Sequence, residues 1–77
     1  MARQRIYNNL EAEIARAHLL KYEIAELLGM IPSTFTSRLK GDSDFKLSEM
    51  RFIRDLLQKE NGEYYTLDYL FQKEKNN

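Results

Sequence analysis

The sequence predicts an all-α fold, a compact domain of five short helices. Apolar residues recur at the spacing of helix faces along most of the chain. Glycines and a proline separate these apolar stripes, at places where helices end and begin. No segment alternates apolar and polar residues as a half-buried strand does. Because 77 residues leave room for one small core, we expect a single domain over residues 1–77, with a flexible arm at 1–5 and a polar tail at 72–77.

The first helix is indicated by a stripe of Leu10, Ile14 and Ala17, which are spaced i, i+4, i+7. Glu13 is assigned to the helix surface, as an i, i+3 ion-pair partner of Arg16. The buried face of this helix is therefore expected to be apolar.

The second helix is short and is expected to end in a tight turn. Ile24, Leu27 and Leu28 form its apolar stripe, and the small side chain of Ala25 lets a neighbouring helix approach closely. Gly29 follows directly and can adopt the positive φ angle that a sharp turn between helices needs. These features predict that the second and third helices pack against each other across the turn.

The third helix is predicted from Pro32, a residue that suits the first position of a helix, to a stop at Gly41. Phe35 and Leu39 are spaced i, i+4 and are expected to anchor it to the core. Its other face is left polar and outward, formed by Ser33, Thr36, Ser37 and Lys40, with Arg38 near it. Small polar side chains on an exposed helix can contact base edges or phosphates in the major groove of DNA.

The fourth helix carries a stripe of Met50, Ile53 and Leu57 and is expected to stop at Asn61-Gly62. The predicted cap of this helix is Ser48, with Leu47 and Phe52 at the staple positions on either side. The last helix is predicted to start from an N-cap at Thr66 and to carry Asp68 in its first turn, with Leu67, Leu70 and Phe71 as its apolar residues. The aromatic rings of Phe35, Phe52 and Phe71 are all expected in the core.

Composition excludes several classes of protein. There is no cysteine, which removes disulfides and cysteine-ligated metals and fits a reducing compartment. No signal peptide is visible, and no apolar run approaches the ~20 residues of a membrane span, so we expect a cytoplasmic protein. His18 is the only histidine, and no nucleophile motif, Gly-rich phosphate loop or metal-spaced cluster is present. We therefore expect a non-enzyme that uses neither cofactor nor metal.

The charge balance is neutral, because 12 basic and 12 acidic residues give a formal net charge of zero. Proteins that bind nucleic acids usually carry a basic excess, since the release of counterions from phosphates supplies much of their affinity. Any electropositive surface on this chain must therefore come from segregation of its charges.

The stretch Ile24-Ala25-Glu26-Leu27-Leu28-Gly29, followed by Ser33-Thr34-Phe35 and Gly41, has a recognisable spacing. In this spacing the chain resembles the Cro/C1-type helix-turn-helix regulators, the xenobiotic-response-element family, from about Leu10 to Phe71. The endings Ser37–Gly41 and Leu67–Phe71 look like those of small phage-type repressors. The resemblance implies a lambda-repressor-like domain that binds a palindromic double-stranded DNA operator as a homodimer and regulates transcription.

The resemblance also implies where DNA is contacted. The family's phosphate contact at the start of the second helix falls on Lys21, and its base-reading positions fall on Ile31, Pro32, Ser33 and Ser37. The residues expected to contact DNA are Lys21, Pro32, Ser33, Thr34, Thr36, Ser37, Arg38 and Lys40.

Three features depart from the family pattern. Leu20 and Ile31 stand where the second and third helices usually have a polar N-cap, and each lost cap should cost ~1 kcal/mol. Pro32 replaces a long polar side chain that reaches a base. Asp42 and Asp44 place carboxylates where the family approaches the DNA backbone.

These departures and the zero net charge keep a second function open, a protein-interaction module such as an antirepressor or scaffold partner. A third possibility is that the chain is the N-terminal half of a longer repressor. Arg3 and Arg5 could form an arm that reaches phosphates or a minor groove. Tyr64 and Tyr65 are expected to pack against the last helices, or alternatively to form a dimer patch together with Leu67 and Phe71.

Overall fold

All five predicted helices are present in the computed structural model, which describes residues 6–74. They are α1 (Asn8–Arg16), α2 (Lys21–Leu27), α3 (Pro32–Lys40), α4 (Leu47–Asn61) and α5 (Leu67–Leu70). Residues 6–74 contain no strand, so the prediction of a compact all-α fold is confirmed. The predicted arm at 1–5 and the last three residues of the predicted tail lie outside the described part of the chain.

The helices pack in two groups around one core. α2 packs against α3, while α1, α4 and α5 pack against one another. None of the helices in the described range is long and apolar enough to cross a membrane.

Residues with positive φ close the ends of the first three helices. Gly29 (φ 74°) ends α2 in a Schellman motif: its N–H donates to the Glu26 carbonyl at 3.0 Å, and the N–H of Met30 donates to the Ala25 carbonyl at 2.9 Å. Gly41 (φ 86°) closes α3 in the same way. The helix ends predicted at these two glycines are confirmed.

The end of α1 uses the same motif with a histidine in the glycine position. His18 has φ 58°, its N–H donates to the Ala15 carbonyl at 3.0 Å, and the N–H of Leu19 donates to the Ile14 carbonyl at 3.3 Å. A left-handed conformation costs an L-residue ~1–2 kcal/mol. Ile14 and Leu19 both line a groove between α1 and α2.

The predicted start of α5 is confirmed, and so is the end of α4. The hydroxyl of Thr66 accepts the Tyr69 N–H at 3.1 Å, and Asp68 lies in the first turn of α5. Gly62 follows Asn61 with φ 66° and ends α4 in a left-handed cap. Thr66 and Gly62 are therefore correctly predicted as the residues that bound these two helix ends.

The predicted N-cap of α4 at Ser48 is wrong. The helix begins at Leu47, and its cap position is Lys46, two residues before the predicted one. The carboxylate of Glu49 accepts the Lys46 N–H at 2.9 Å and so satisfies the backbone donor of the cap residue itself. A carboxylate in the first turn also interacts favourably with the helix dipole, which a hydroxyl does not match. The predicted staple of Leu47 and Phe52 is also wrong, because both residues are exposed.

The core collects apolar residues from all five helices, and most predicted core positions are confirmed. The buried apolar residues of the helices are Leu10, Ile14, Ile24, Ala25, Phe35, Leu39, Ile53, Leu57 and Leu70. Two predictions are wrong: Phe52 is 42% exposed and Leu27 is 56% exposed. Leu27 lies about 100° around α2 from the face that Ile24, Ala25 and Leu28 share. Phe52 likewise lies on the outer side of α4.

Four aromatic rings join the two ends of the described chain to α3. Phe45 packs edge-to-face on Tyr7, Phe35 and Phe71, with ring centroids 5.4–6.0 Å apart. Burial raises the pKa of the Tyr7 phenol, and the nearby Asp44 carboxylate raises it further. This cluster confirms Phe35 and Phe71 as core aromatics, although Phe71 is only partly buried.

Glu13 is buried at 3% exposure, so its assignment to the helix surface is wrong. Its carboxylate accepts hydrogen bonds from the phenol of Tyr65 at 2.6 Å and the phenol of Tyr69 at 2.8 Å. Asn61 donates to the Glu13 backbone carbonyl at 3.2 Å and to the Tyr65 oxygen at 3.1 Å. The predicted pair with Arg16 is present, with Nε 3.3 Å from the carboxylate. The Glu13 cluster (Glu13, Arg16, Asn61, Tyr65 and Tyr69) therefore ties α1 to α4 and α5 through polar contacts.

Candidate nucleic-acid interface

The turn between α2 and α3 brings the two helices into close contact. Ala25 is fully buried and Gly29 provides the positive φ angle, as the sequence predicted. Phe35 and Leu39 are buried on the inner side of α3. α3 is thus fixed by its inner face and leaves the opposite face to solvent.

The outer face of α3 carries most of the residues expected to contact DNA. Pro32, Ser33, Thr36 and Lys40 are exposed, while Thr34 and Ser37 are half-buried. The carbonyl of Ser37 accepts the Asp42 N–H at 3.0 Å as part of the helix end, so its hydroxyl sits on an ordered backbone. The structure brings these six residues together on one helix.

Ile31 precedes this helix and is 65% exposed. It is the N-cap residue of α3 in an extended conformation, and no side-chain hydrogen bond caps the helix there. Its carbonyl accepts the N–H groups of Thr34 and Phe35 at 3.0 and 3.3 Å. The backbone of Ile31 is thus held by α3 while its side chain remains in solvent.

Arg38, the donor expected near this face, is held in an ion pair with another helix. Its side chain is 15% exposed, and Nη1 donates to the carboxylate of Glu49 at the start of α4. Nε is buried and has no hydrogen-bond partner among the described residues. Arg38 therefore joins α3 to α4, and Glu49 serves both this pair and the N-terminus of α4.

Lys21 is exposed at the start of α2, as expected, but it is ion-paired. Its Nζ lies 2.8 Å from the carboxylate of Glu11 on α1. A second acidic residue, Glu23, accepts the Leu20 N–H at 2.8 Å and compensates for the missing polar N-cap of α2. The ammonium of Lys21 must exchange one anionic partner for another if it is to contact a phosphate.

The loop after α3 carries two aspartates, Asp42 and Asp44, in different surroundings. Asp44 lines a pocket together with Tyr7 and Lys73, and none of the exposed residues of α3 lines that pocket. Asp42 and Lys40 flank Gly41 and are both exposed. Opposite charges therefore stand on either side of the end of α3.

Further pockets lie among the described residues. A groove of 610 Å³ between α1 and α2 is lined by apolar side chains, including Ala12, Ala15 and Leu19, and by the ion-paired Glu11 and Lys21. A smaller pocket of 310 Å³ lies over the Glu13 cluster and includes Glu63, whose carboxylate is 3.1 Å from Arg16 Nη1. Within residues 6–74, no group of three His, Asp or Glu side chains is arranged to hold a metal ion.

The possible dimer patch on the C-terminal segment is divided by the structure. Tyr65 is buried in the Glu13 cluster and Phe71 packs on Tyr7 and Phe45, whereas Tyr64 is 80% exposed. Tyr65 therefore packs inward as expected, and Tyr64 does not. The expected arm residues Arg3 and Arg5 lie outside the described residues.

Two carboxylates that pair with cations of the candidate site were not predicted from the sequence. Glu11 and Lys21 are ten positions apart and Arg38 and Glu49 eleven, so each pair forms only through tertiary packing. No local pattern indicates such pairs. No protein-family model matches the chain, and no curated protein or solved structure shows significant similarity to it.

Proposed function

We propose that this chain is a sequence-specific DNA-binding regulator whose α2–turn–α3 segment is a helix-turn-helix of the lambda-repressor-like kind. The observation that carries this proposal is the asymmetry of α3. Phe35 and Leu39 fix one face in the core, while Ser33, Thr36 and Lys40 are exposed together on the other. A rigidly held helix with short polar side chains can enter a major groove and meet base edges.

The regulator acts by covering its operator as a homodimer. One protomer measures 35 Å along its longest axis over the described residues and carries one α3. Two recognition helices must lie ~34 Å apart to reach successive major grooves on one side of the duplex, which requires a second copy. A bound dimer excludes polymerase without a ligand or a chemical step.

Phosphates would be contacted by Lys40 and Lys21. Lys40 is exposed and forms no ion pair with another described residue, whereas Lys21 is held by Glu11. Removal of the Glu11 charge should release Lys21. Glu11→Gln is therefore expected to strengthen binding to operator and random DNA alike and to steepen the salt dependence.

The proposal is tested by selecting bound duplexes from a random pool with the full chain and titrating the selected duplex at several salt concentrations. A two-fold symmetric consensus is expected, with log affinity falling linearly with log salt. Thr36→Val removes one exposed hydroxyl and should relax preference at one base pair per half-site. Lys40→Ala should weaken all sequences similarly and lower the salt slope by about one.

Lys59→Ala provides the matched control. Lys59 is also exposed and lies ten residues after Glu49, about 15 Å further along α4. It should leave affinity and salt slope unchanged. The absence of an enriched sequence, or equal losses from Lys40→Ala and Lys59→Ala, would overturn the proposal.

A second candidate function, protein interaction through the same fold, is favoured by one observation. Leu27 and Ile31 expose apolar side chains on either side of the Gly29 turn. Two cations of the candidate site, Lys21 and Arg38, are already ion-paired. Leu27→Glu should abolish capture of a specific protein partner and leave DNA selection intact. If DNA selection fails and a partner is captured only with Leu27 present, this function replaces the first.

A further inference from the structure

We infer that the groove between α1 and α2 binds an alkylammonium ligand, a small molecule with a protonated amine on an apolar chain. The amine of the ligand takes the place of the Lys21 ammonium beside Glu11. Binding of the ligand does not depend on DNA. Its consequence, the release of Lys21 toward a phosphate, rests on the proposed DNA-binding function.

The groove has the size and the lining of a small-molecule site. Its volume of 610 Å³ lies within the range of about 300–1,000 Å³ that ligand pockets have, and Ala12, Ala15 and Leu19 give it apolar walls. Ala12 and Ala15 are both exposed, and their methyl groups leave the groove open. An apolar chain can therefore be buried against them.

The charges of the groove favour a cationic ligand. Glu11 and Lys21 are the charged residues of its lining, and their side chains are unequally exposed, 16% for Glu11 and 51% for Lys21. The carboxylate is thus the fixed charge in the wall, and it needs a counter-ion because an unpaired buried charge is costly. An anionic ligand would draw Lys21 away and leave this carboxylate without a partner, so it is disfavoured.

Lys21 itself shows how an ammonium occupies the site. Its Nζ lies 2.8 Å from Oε1 of Glu11, and its side chain is an alkylammonium, a flexible methylene chain that ends in an ammonium group. A free amine on a longer chain can make the same contact and also cover Ala15 and Leu19. Lys21 is half exposed, so its ammonium is hydrated once it leaves Glu11.

Displacement of Lys21 links the groove to DNA binding. Lys21 is a proposed phosphate contact at the start of α2, and its ammonium is engaged by Glu11. A ligand that replaces it frees one cation per protomer, so operator affinity rises. The slope of log affinity against log salt should steepen by about 0.9 for each released lysine. By linkage, the operator strengthens ligand binding by the same factor as the ligand strengthens operator binding.

The test titrates three probes of equal chain length, hexylammonium, hexanoate and hexan-1-ol, into the full labelled chain without DNA. Hexylammonium should bind more tightly than the other two, with amide shift changes along residues 11–22. Lys21→Met removes the competing ammonium and keeps an apolar chain, so this variant should bind hexylammonium more tightly than the wild type does. Its preference over hexan-1-ol should be about tenfold, the value of a hydrogen bond to a charged group. Glu11→Gln should lose the preference for hexylammonium.

Ala15→Leu and Glu26→Gln are the matched variants. Leucine at the exposed position 15 fills the groove and should weaken the binding of hexylammonium. Glu26 is an exposed carboxylate of α2 outside the lining of the groove, so Glu26→Gln should leave the preference for hexylammonium unchanged. Circular dichroism of each variant checks that the helical fold is intact.

Two results without DNA would overturn the site while leaving the proposed function in place. One is equal binding of the three probes by the wild type and by Lys21→Met, and the other is an ammonium preference that persists in Glu11→Gln.

The link to DNA is tested with the selected operator. Hexylammonium should steepen the salt dependence of the wild type but not that of Glu11→Gln. A salt slope that is unchanged at saturating hexylammonium would overturn the release of Lys21. Failure to enrich any duplex would overturn the proposed function together with this link, whereas an ammonium preference measured without DNA would still support the site.

Discussion

The phenol of Tyr65 donates a 2.6 Å hydrogen bond to the carboxylate of Glu13, 52 residues earlier in the chain. Tyr69 donates to the second oxygen of the same carboxylate, and the two phenol rings stack with centroids 6.0 Å apart. A buried carboxylate is tolerated only when its oxygens are hydrogen-bonded. The short C-terminal helix is therefore held to α1 by a polar contact in addition to the packing of Leu70.

Removal of the Glu13 charge should destabilise the fold. Glu13→Gln keeps the shape but weakens the hydrogen bonds from Tyr65 and Tyr69 and removes the ion pair with Arg16, and a loss of ~2–3 kcal/mol in the free energy of unfolding is expected. Urea denaturation measures it. Glu60→Gln, at an exposed position of α4, should stay within ~0.5 kcal/mol of wild type. A Glu13→Gln protein as stable as the control would show that the cluster contributes little.

Stability should fall at alkaline pH because of the same cluster. Burial raises the pKa of the Tyr65 phenol, and the hydrogen bond to Glu13 raises that of Tyr69. Folding thus favours the protonated phenols, so their contribution is fully present below the unfolded pKa near 10.0 and is lost as pH rises through the higher folded values. Melting temperature against pH tests this.

The Tyr65→Phe/Tyr69→Phe double variant serves as the comparison for the alkaline series. It lacks both titrating phenols, so its melting temperature should fall less steeply above pH ~10 than that of the wild type. Parallel curves for the two proteins would contradict the assignment.

The two glycines that end α2 and α3 should differ in their tolerance of alanine. Both have positive φ, so each substitution carries a backbone cost of ~1–2 kcal/mol. A Cβ on Gly41 would in addition overlap Cδ1 of Ile6, whereas a Cβ on Gly29 meets no neighbouring atom. Gly41→Ala is therefore expected to cost more, by urea denaturation. In an Ile6→Ala background, Gly41→Ala should cost no more than Gly29→Ala, because the overlapping atom is gone. Equal costs of the two glycine substitutions in the wild-type background would contradict this account.

The ion pair of Arg38 and Glu49 should stabilise the fold. Both side chains are about 15% exposed, so a double-mutant cycle with Arg38→Met and Glu49→Gln should give a coupling of ~1–3 kcal/mol. The exposed pair of Arg54 and Asp55 is the reference, and its coupling should not exceed ~0.5 kcal/mol. Similar coupling energies for the two pairs would mean that the Arg38–Glu49 ion pair stabilises the fold no more than an exposed pair does.

The helices could be predicted because their signals are local. Gly29, Gly41 and Thr66 act through their own backbone or side chain within one turn of the helix, and so they mark its end in any surroundings. Glu13 could also have been placed in the core. It occupies the i+3 position of the stripe that starts at Leu10, and an acidic residue there requires buried donors.

The ion pairs of the candidate site could not be predicted in the same way. Arg38 is bonded to Glu49 because α4 starts beside α3, and that position depends on the packing of the whole core. The exposure of Phe52 has the same origin: an aromatic residue at the edge of a stripe faces inward or outward according to what covers that side of α4. Such outcomes are set by tertiary contacts, which helical periodicity does not contain.

The most direct test of the central claim is to map the DNA-binding surface by amide chemical-shift changes as the selected duplex is titrated into the labelled chain. The proposal predicts that the largest changes fall in residues 31–40 and at Lys21, while the amides around the Glu13 cluster change little. Changes concentrated on α5 and Tyr64, or no changes at all up to saturating DNA, would contradict the assignment of α3 as the DNA-binding surface.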